Sequence, residues 1–288
     1  MVGFLFLLTV GTPKLSFGIP DLPNRPFGFE LVSPWLQRYG VEQKFYNPGT
    51  TRLAQFDSPT SDHWMGTDKA GRDVWSRIVN GARRSMFMAV WALTIATLFG
   101  TVIGAVSGYF GKWFDTIAQR LMDSLQSFPP LIALILIMTI APFTTGPNLI
   151  IAAFALGIVG IPTIQRIVRS VVLSTREQQF VEAARVIGAT DLRTMGYYIL
   201  PNIMASIIVV FSTGLGVVIL AEAALGFVAP DKLPEGASWG LMLNEYYNYM
   251  VDHPFPALFS AGAITFAVLG FNLAGDALRD VLDPRLRL

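Results

Sequence analysis

The sequence predicts an all-α protein that crosses a membrane several times. Only 14% of its 288 residues are charged and 52% are hydrophobic, whereas about a quarter of the residues of a soluble domain are charged. Five apolar runs each reach the length of about 20 residues that a helix needs to cross a bilayer. Composition and run length together indicate that lipid surrounds most of the chain.

The apolar runs place the predicted spans. They cover about residues 85–109, 121–141, 149–172, 203–227 and 255–274. The opening run, 1–11, is apolar but has about half the length of a span, and it lacks the charged start and cleavage site of a secretory signal. We interpret it as the truncated end of a first span, so the sequence predicts six spans, one of them shortened.

The segment 12–84 is predicted to be extracytoplasmic and to contain a helix over 68–80, with Thr67 as its cap. The apolar residues of this helix recur at i, i+1, i+4 and i+5, as Val74, Trp75, Ile78 and Val79. One apolar face opposite a charged face is typical of a helix that lies at a membrane surface. We expect it to lead into the span 85–109.

The basic residues of the short loops predict the orientation of the chain. One side holds ten of them, Lys112, Arg120, Arg166, Arg169, Arg176, Arg185, Arg193, Arg279, Arg285 and Arg287. The loops 142–148 and 228–254 hold only Lys232. Because basic loops remain in the cytoplasm, we expect the loop 174–202 and the C-terminal tail 275–288 to be cytoplasmic.

Glycines and prolines predict close packing and kinks in the predicted spans. Three glycines recur every four residues on one face of the span 85–109, namely Gly100, Gly104 and Gly108. Such a face lets another helix of the same chain approach closely. Pro129 and Pro130 lie within the predicted span 121–141, and Pro162 lies within the span 149–172. Each removes a backbone donor, so we expect the helix to kink there.

A charged segment punctuated by glycine, 174–202, interrupts the apolar sequence. Residues 177–187 favour a helix that Gly188 ends, and Thr190 can cap a second helix that continues toward Pro201. Three small residues give this helix–turn–helix elbow a slim surface, Ala183, Ala184 and Ala189. The pattern leaves open whether the elbow serves a partner or is an amphipathic loop that only rests at the lipid headgroups.

Composition and missing motifs argue against several functions. The chain has no cysteine and two histidines, which disfavours disulfides and zinc sites. Its net charge of +1 disfavours nucleic-acid binding, which needs a basic face. The sequence contains neither the ATP-binding loop G-x-x-x-x-G-K-[ST] nor the hydrolase motifs G-x-S-x-G and H-E-x-x-H. We therefore expect no cofactor or metal on this chain, no enzymatic activity, and ATP energy only through a partner.

Three carboxylates are candidates for chemistry. Asp68 and Asp73 could form a metal or acid–base pair, but we favour capping and salt bridging, because paired carboxylates without a pocket are a weak signal. Glu222 lies within the span 203–227, where a charge costs at least about 2.5 kcal/mol on insertion scales. It could belong to a pathway or gate, or face the external mouth near Phe227, and the residues leave both open.

The motifs of the chain resemble those of a known family. Glu182, Ala183, Ala184 and Gly188 give E-A-A-x-x-x-G, followed by I-L-P-N at 199–202, which is similar to the cytoplasmic loop of ABC importer permeases. The stretch 63–74, H-W-M-G-T-D-K-A-G-R-D-V, looks like the H-x-x-G-T-D-x-x-G-R-D-V signature of C-type dipeptide and oligopeptide permeases. Similar later motifs are A-E-A-A-L-G-F at 221–227, S-W-G at 238–240 and D-A-L-R-D at 276–280.

The resemblance covers about residues 63–288, with the motifs in the family's order. Three departures are visible. Tyr198 stands where family members commonly have histidine before I-L-P-N, and the segment 11–62 matches no motif of the family. The shortened first span is the third departure.

The resemblance implies the type I ABC importer fold of six spans, here with the first truncated, and a coupling helix that docks in a groove of an ATPase. It implies ATPase-coupling roles for Glu182, Ala183, Ala184, Gly188, Ala189, Leu200 and Pro201. It implies structural roles for Gly66, Thr67, Asp68, Gly71, Arg72 and Asp73.

The resemblance also implies the partners. They are a homologous B-type permease in a heterodimer, two ATP-binding subunits that hold ATP and Mg, an external substrate-binding protein, and membrane lipid. The location is the inner or plasma membrane of a prokaryotic cell. The family serves dipeptides, oligopeptides, nickel chelates and some sugars, and selection rests mainly with the binding protein. We favour dipeptides or oligopeptides.

Two other classes of function, a secondary transporter and an intramembrane enzyme, predict sequence features different from those of an importer permease. An ion-gradient-driven secondary transporter predicts several interior carboxylates and broken helices at mid-membrane, yet only Glu222 lies well inside a predicted span. An intramembrane enzyme needs paired catalytic groups at membrane depth, and the sequence offers none.

Overall fold

The structure is a computed structural model that describes residues 37–47, 51–140 and 148–282. The predicted first span 1–11 and the final residues 283–288 lie outside the described residues. The chain divides into two compact units, one formed by Met1–Met86 and Glu235–Ala267, the other by Phe87–Pro234 and Val268–Leu288. Where the structure describes the chain, it is helical, and antiparallel pairing is limited to isolated bridges.

The helices are numbered here in chain order. They are α1 Val74–Phe110, α2 Lys112–Gln126, α3 Pro130–Ile140, α4 Leu149–Thr175, α5 Gln179–Val186, α6 Asp191–Val228, α7 Trp239–Tyr247 and α8 Pro254–Leu282. Within α6, Thr194–Ile199 forms a π-helical turn. A single 3-10 turn, Pro230–Lys232, follows α6.

Four of these helices, α1, α4, α6 and α8, are long and apolar enough to cross a membrane. The predicted spans 85–109, 149–172, 203–227 and 255–274 fall within them. The pair α2 and α3 would supply a fifth span only as one broken element, because the two helices meet at 89°. The prediction of an all-α polytopic membrane protein is confirmed.

The span 121–141 was predicted to kink at its two prolines, and the structure shows a full break there in place of a kinked helix. It breaks between Gln126 and Pro130, where the sequence places two consecutive prolines. Pro129 disfavours helical backbone at the residue before it, and neither proline can donate a helical hydrogen bond. The helix after the break, α3, has only 11 residues.

The separate helix predicted over 68–80 is also wrong. The helix begins at Val74 and continues without a break to Phe110, over 37 residues. Asp73, not Thr67, is the residue that caps it, because its Oδ2 accepts a hydrogen bond from the Ser76 amide at 2.8 Å, three residues later. The preceding residues turn back on themselves, so that Thr67 pairs with Asp73 in an antiparallel bridge.

The glycine face of α1 packs directly on α4, as the sequence predicted. A Cβ atom added at Gly100 would lie 2.8 Å from the Ile164 Cβ, and one added at Gly104 would lie 2.7 Å from the Gln165 carbonyl oxygen. One at Gly108 would lie 3.0 Å from a carbonyl oxygen one turn further along α4. Real Cβ atoms essentially never lie closer than 3.0 Å to another heavy atom, so Gly100 and Gly104 permit a helix contact that a side chain would block, and a Cβ at Gly108 would be tight.

A hydrophobic core joins the ends of these helices to the elbow. It contains Tyr109 of α1, Val172 of α4, Val181 of α5 and Ile199 and Ile203 of α6, all buried. Burying apolar side chains contributes about 1.5–3 kcal/mol each. The elbow is therefore packed on the helix bundle and is not a free surface loop.

Candidate functional site

The elbow is built by a helix stop that requires glycine. After α5, the Gly188 amide donates to the Arg185 carbonyl at 3.0 Å and the Ala189 amide donates to the Ala184 carbonyl at 3.0 Å. This pair of bonds is a Schellman motif, which needs a left-handed residue after the helix. Gly188 supplies it with φ +84°, and a Cβ there would meet no atom within 4 Å. Position 188 therefore favours glycine because of its backbone conformation, and not because a side chain would clash with other atoms of this chain.

The two faces of the elbow have different environments. Val181 and Ala184 are buried, at 0% and 2% exposure, and pack into the bundle. Several large apolar side chains point outward instead, and they are Val186, Ile187, Leu192 and Tyr197, with exposures of 82%, 77%, 74% and 71%. We call these four the elbow patch. Such exposed apolar side chains beside polar residues are typical of a surface that another molecule covers.

The coupling residues implied by the resemblance are divided between these faces. Glu182, Ala183, Gly188 and Pro201 are exposed, whereas Ala189 and Leu200 are half-buried. Ala184 does not contribute to the predicted slim outer surface, because its methyl group faces the core. The reason is helical periodicity, since Ala184 lies three residues after the buried Val181.

The second helix of the elbow begins with the predicted cap. The Thr190 hydroxyl accepts a hydrogen bond from the Arg193 amide at 3.4 Å, and Thr190 itself has extended backbone. Asp191 follows in the first turn, where the helix dipole favours a carboxylate. Its Oδ1 also accepts a hydrogen bond from the Tyr109 hydroxyl at 2.7 Å, which ties the start of α6 to the end of α1.

Two arginines complete the surroundings of Tyr109. The Arg185 guanidinium lies 5.5 Å from the centre of the Tyr109 ring, a cation–π distance. Arg176 Nη1 donates to the Gly108 carbonyl at 2.8 Å and to the Tyr109 carbonyl at 3.3 Å, so it satisfies carbonyls that the end of α1 leaves open. The ends of α1 and α4 and both arms of the elbow therefore meet at one buried tyrosine.

The I-L-P-N motif at 199–202 begins where the π-helical turn Thr194–Ile199 ends. Pro201 has no amide hydrogen, so the helix cannot close an ordinary turn through it. The Leu200 amide instead donates to the Met195 carbonyl, five residues earlier, and Asn202 Nδ2 donates to the Tyr198 carbonyl at 2.6 Å. Such π turns occur often at functional sites. The Asn202 side chain thus supplies a hydrogen-bond donor next to Pro201, which has no amide hydrogen to donate.

The H-x-x-G-T-D-x-x-G-R-D-V stretch forms a second cluster, centred on a buried carboxylate. Asp68 is fully buried, at 0% exposure. Its Oδ1 accepts from the Ala70 and Arg72 amides at 2.8 and 2.9 Å. Its Oδ2 accepts from Arg72 Nε at 2.8 Å and from Arg77 Nη1 at 2.5 Å. Both oxygens of this carboxylate are thus fully engaged.

The remaining residues of that stretch hold the same turn in place. The Thr67 hydroxyl donates to the Ala54 carbonyl at 2.5 Å, and His63 Nδ1 lies 2.9 Å from Asp73 Oδ1. Gly66 and Gly71 have φ of +71° and +70°, backbone that favours glycine. Among the described residues, no group of three or more histidine or carboxylate side chains is placed to hold a metal.

Arg72 and Tyr246 extend the cluster to α7. Arg72 also contacts Glu42 and Glu245. Burial alone would lower the pKa of Arg72, but Asp68 and the two glutamates together raise it above its ordinary value. Burial raises the pKa of Tyr246 above its ordinary value, against the opposing charge of Arg77. The arginine stays charged and the tyrosine neutral at any physiological pH.

Glu222 lies inside α6 and is fully buried, at 0% exposure. The sequence allowed two interpretations of Glu222, and its burial does not fit the one in which it faces an external mouth. A buried carboxylate within a membrane-spanning helix is a functional candidate by default.

Sequence reasoning missed Tyr109, Arg176 and the bidentate pair of Asp115 with Arg169, whose nitrogen–oxygen distances are 2.5 and 2.6 Å. These residues are far apart in sequence and belong to no short motif. A tyrosine at the end of a predicted span was the single available signal, and it is equally typical of a residue at the membrane–water boundary.

Comparison with known proteins agrees with this geometry. The fold is that of the membrane subunit of type I ABC importers. A subunit of the MetNI methionine ABC transporter superposes with a TM-score of 0.62 at 18% identity, covering 72% of this chain and 96% of that one. A subunit of an amino acid ABC transporter crystallised with histidines gives a TM-score of 0.55 at 18% identity, covering 70% and 92%.

Sequence relatives define the family. Residues 100–288 match the model of the binding-protein-dependent transport system inner membrane component, and the chain belongs to that family. The dipeptide transport system permease protein DppC of Alkalihalophilus pseudofirmus is 40% identical over 233 residues, 81% of this chain and 75% of that protein. The glutathione transport system permease protein GsiD of Pectobacterium atrosepticum is 37% identical over 231 residues, 80% and 75% of the two chains.

The family assigns the chain its class of function. It is a permease subunit of an ABC importer, a multi-pass membrane protein that works with ATPase partners. The predicted resemblance is confirmed, and none of these relatives supports the alternative of an ion-gradient-driven transporter.

Proposed function

We propose that this permease takes up dipeptides or oligopeptides that an external substrate-binding protein delivers. The names of its relatives support a peptide substrate. One is a dipeptide permease and another is a permease for glutathione, which is itself a small peptide. Because selection in such systems rests with the binding protein, the direct test is which peptides raise the melting temperature of the cognate binding protein.

The elbow is the proposed site of coupling to the ATPase. The observation that carries this assignment is the elbow patch, whose apolar side chains are exposed while Val181 and Ala184 of α5 are packed on the bundle. A rigid, packed helix that presents an apolar surface can transmit force from a partner to the ends of the spans. Glu182 and Ala183 lie on the exposed part of the same helix and would contact the docking groove.

The assembly follows from this coupling. A single elbow on each permease and the paired action of ATPase domains support a heterodimer with a homologous B-type permease and two ATPase subunits. The basic short loops support a cytoplasmic position for the elbow and the C-terminal tail. ATP and Mg are then bound by the partners, and this chain contributes no catalytic residue.

Glu222 is the proposed pathway or gate residue of this chain. Its burial inside an apolar helix supports an interior role, since a carboxylate facing lipid would be costly. Glu222→Gln removes the charge with little change of shape. We expect it to insert and assemble normally but to transport more slowly, which proteoliposome uptake measures. Uptake equal to that of the unmodified permease would remove Glu222 from the pathway.

One experiment tests the coupling assignment. Ile187→Asp places a charge in the elbow patch, where the unmodified side chain is 77% exposed and has no packing to lose. We expect the ATPase subunits to dissociate from this variant during purification, while the variant still inserts into the membrane. The matched control is Val251→Asp, at a position 93% exposed in another part of the chain. Full retention of the ATPases by Ile187→Asp would contradict the proposal.

A further inference from the structure

Helix α2 has an exposed apolar face that the transport function does not explain. Its large exposed side chains are Trp113, Phe114, Ile117, Leu121 and Leu125, with exposures from 41% to 61%. At 100° per residue these positions fall on one side of the helix. This side continues at the break after α2, where Phe128 is also exposed, at 53%.

A second side of α2 is fastened to α4. Asp115 forms the bidentate pair with Arg169, and Asp123 accepts from Arg166 Nη2 at 2.6 Å. The two aspartates are eight residues apart, about 12 Å along a helix, whereas the two arginines are three residues apart, about 4.5 Å. Helices that ran side by side would need similar spacings. α2 therefore crosses α4 steeply.

The polar side of α2 that carries Asp123 also carries two basic residues. Lys112, Thr116 and Arg120 are exposed, and they lie within an arc of about 80° that includes Asp123 and borders the apolar side at Arg120. In the part of the chain that the structure describes, the ion pairs of α2 are those of its two aspartates. The charges of Lys112 and Arg120 therefore remain available to an anionic molecule outside the chain.

The angle between α2 and α3 fixes the orientation of the apolar and polar sides. The two helices meet at 89°, and α3 is apolar along its whole length, as a helix inside the bilayer must be. If α3 follows the membrane normal, α2 lies in the membrane plane. A helix in that plane, with an apolar side and a polar side on which Lys112 and Arg120 are exposed, matches the properties of interfacial membrane helices.

We propose that α2 is not part of a membrane span but an interfacial helix bound to anionic phospholipid. Its apolar side lies among the acyl chains next to the headgroups, and Lys112 and Arg120 bind the phosphate groups. Two ion pairs hold it against α4, close to the ends of α1 and α4 where the elbow begins. Lipid at this helix thus contacts the part of the bundle that positions the elbow. The inference goes beyond the proposed coupling function and does not depend on it.

Single-cysteine labelling of the assembled transporter tests the orientation, because the chain has no native cysteine. Spin labels on Ile117→Cys, Leu121→Cys and Leu125→Cys, in vesicles containing phosphatidylglycerol, report depth through their exposure to oxygen and to a water-soluble nickel complex. We expect all three labels at one shallow depth, about 5–10 Å below the headgroups. A label on Thr116→Cys should be exposed to the nickel complex.

Two results would overturn the inference. If α2 spanned the membrane, the spin labels at residues 117 and 125 would differ in depth by about 12 Å. A surface covered by a second permease subunit would give low exposure of all three apolar-side labels to both oxygen and nickel. Neither pattern is compatible with a helix whose apolar side lies in lipid.

The headgroup contact has its own test. A bimane fluorophore on Ile117→Cys is quenched by brominated lipid, and the quenching by phosphatidylglycerol relative to phosphatidylcholine gives the preference for anionic lipid. Removing one cation near an anionic surface weakens binding about fivefold, so Lys112→Gln and Arg120→Gln should each lower this preference by about that factor. Lys44→Gln, also exposed but on another part of the chain, is the control. An unchanged preference in the variant lacking both cations would contradict the lipid contact.

Discussion

The Tyr109 hydroxyl donates a hydrogen bond of 2.7 Å to Asp191 Oδ1. The tyrosine ends a helix of the bundle and is 6% exposed, whereas the aspartate begins the second arm of the elbow. These residues are 82 positions apart in sequence. Movement of the elbow can therefore reach α1 through this hydrogen bond, in addition to the contacts of Arg176 and Arg185 with the end of α1 and the apolar packing around them.

Tyr109→Phe tests this link, because it removes only the hydroxyl. We expect a loss of stability of about 1 kcal/mol and fewer peptides imported per ATP hydrolysed, since the start of α6 is no longer held to α1. Uptake and ATPase activity measured together in proteoliposomes give that ratio. Tyr198→Phe, in the π turn of the same elbow, is the control. An unchanged ratio in Tyr109→Phe would show that the hydrogen bond to Asp191 does not contribute to the coupling.

Two substitutions at Gly188 distinguish the effect of backbone conformation from the effect of side-chain bulk. Asparagine tolerates φ near +84° far better than a β-branched residue does, and the surrounding space is open within the chain. We therefore expect Gly188→Asn to retain most coupled ATPase activity and Gly188→Val to lose most of it, with both inserted normally. Equal loss in the two variants would mean that a Cβ obstructs the docked ATPase and that the turn itself is not the sensitive feature.

Asp68→Asn addresses the buried charge cluster. The substitution leaves the Arg72 and Arg77 guanidinium groups without the carboxylate between them, and breaking a buried ion pair costs about 3–5 kcal/mol. We expect a marked fall in the midpoint of thermal unfolding, monitored in mild detergent. Asp62→Asn, at an exposed position outside this cluster, should leave the midpoint unchanged.

 Asp62 is a suitable control because its side chain is exposed. A midpoint for Asp68→Asn equal to that of Asp62→Asn would show that the cluster contributes little to folding.

The orientation of the chain can be measured with the same cysteine-free background. Ile187→Cys and Val251→Cys are both strongly exposed, at 77% and 93%. The uneven distribution of basic residues predicts that the first lies in the cytoplasm and the second outside. A thiol reagent that cannot cross membranes should therefore modify Val251→Cys in intact cells, and Ile187→Cys only after the membrane is opened. The reverse pattern would invert the proposed topology.

The sequence predicted the features that depend on neighbours in the chain. The Gly188 stop, the Thr190 cap and the glycine face that ends at Gly108 all follow from local backbone chemistry or helical periodicity, and the structure contains each of them. The apolar runs likewise placed α1, α4, α6 and α8, because a membrane span is defined by length and hydropathy.

Features that depend on distant residues were not predicted. The contact between Tyr109 and Asp191 joins residues with no shared motif, and sequence periodicity gives no sign of it. The helix predicted over 68–80 failed for a related reason. Thr67 and Asp73 are both acceptable caps, and only the bridge between them, together with the buried contacts of Asp68, selects the later helix start.

The broken element of α2 and α3 shows a different limit. The two prolines predicted a kink, but hydropathy alone could not distinguish a kinked span from two helices at 89°. The ion pairs of Asp115 and Asp123 with α4 fix the direction of α2, and these pairs are visible only in three dimensions.

Cross-linking from the elbow tests the central claim, that this segment docks the ATPase, most directly. A bifunctional thiol reagent is applied to the transporter carrying Ile187→Cys and one cysteine at the rim of the ATPase groove, with Val251→Cys as the control. The account predicts a cross-linked product of permease and ATPase from Ile187→Cys, and none from Val251→Cys. No product from Ile187→Cys in a transporter that still imports peptide would contradict the account.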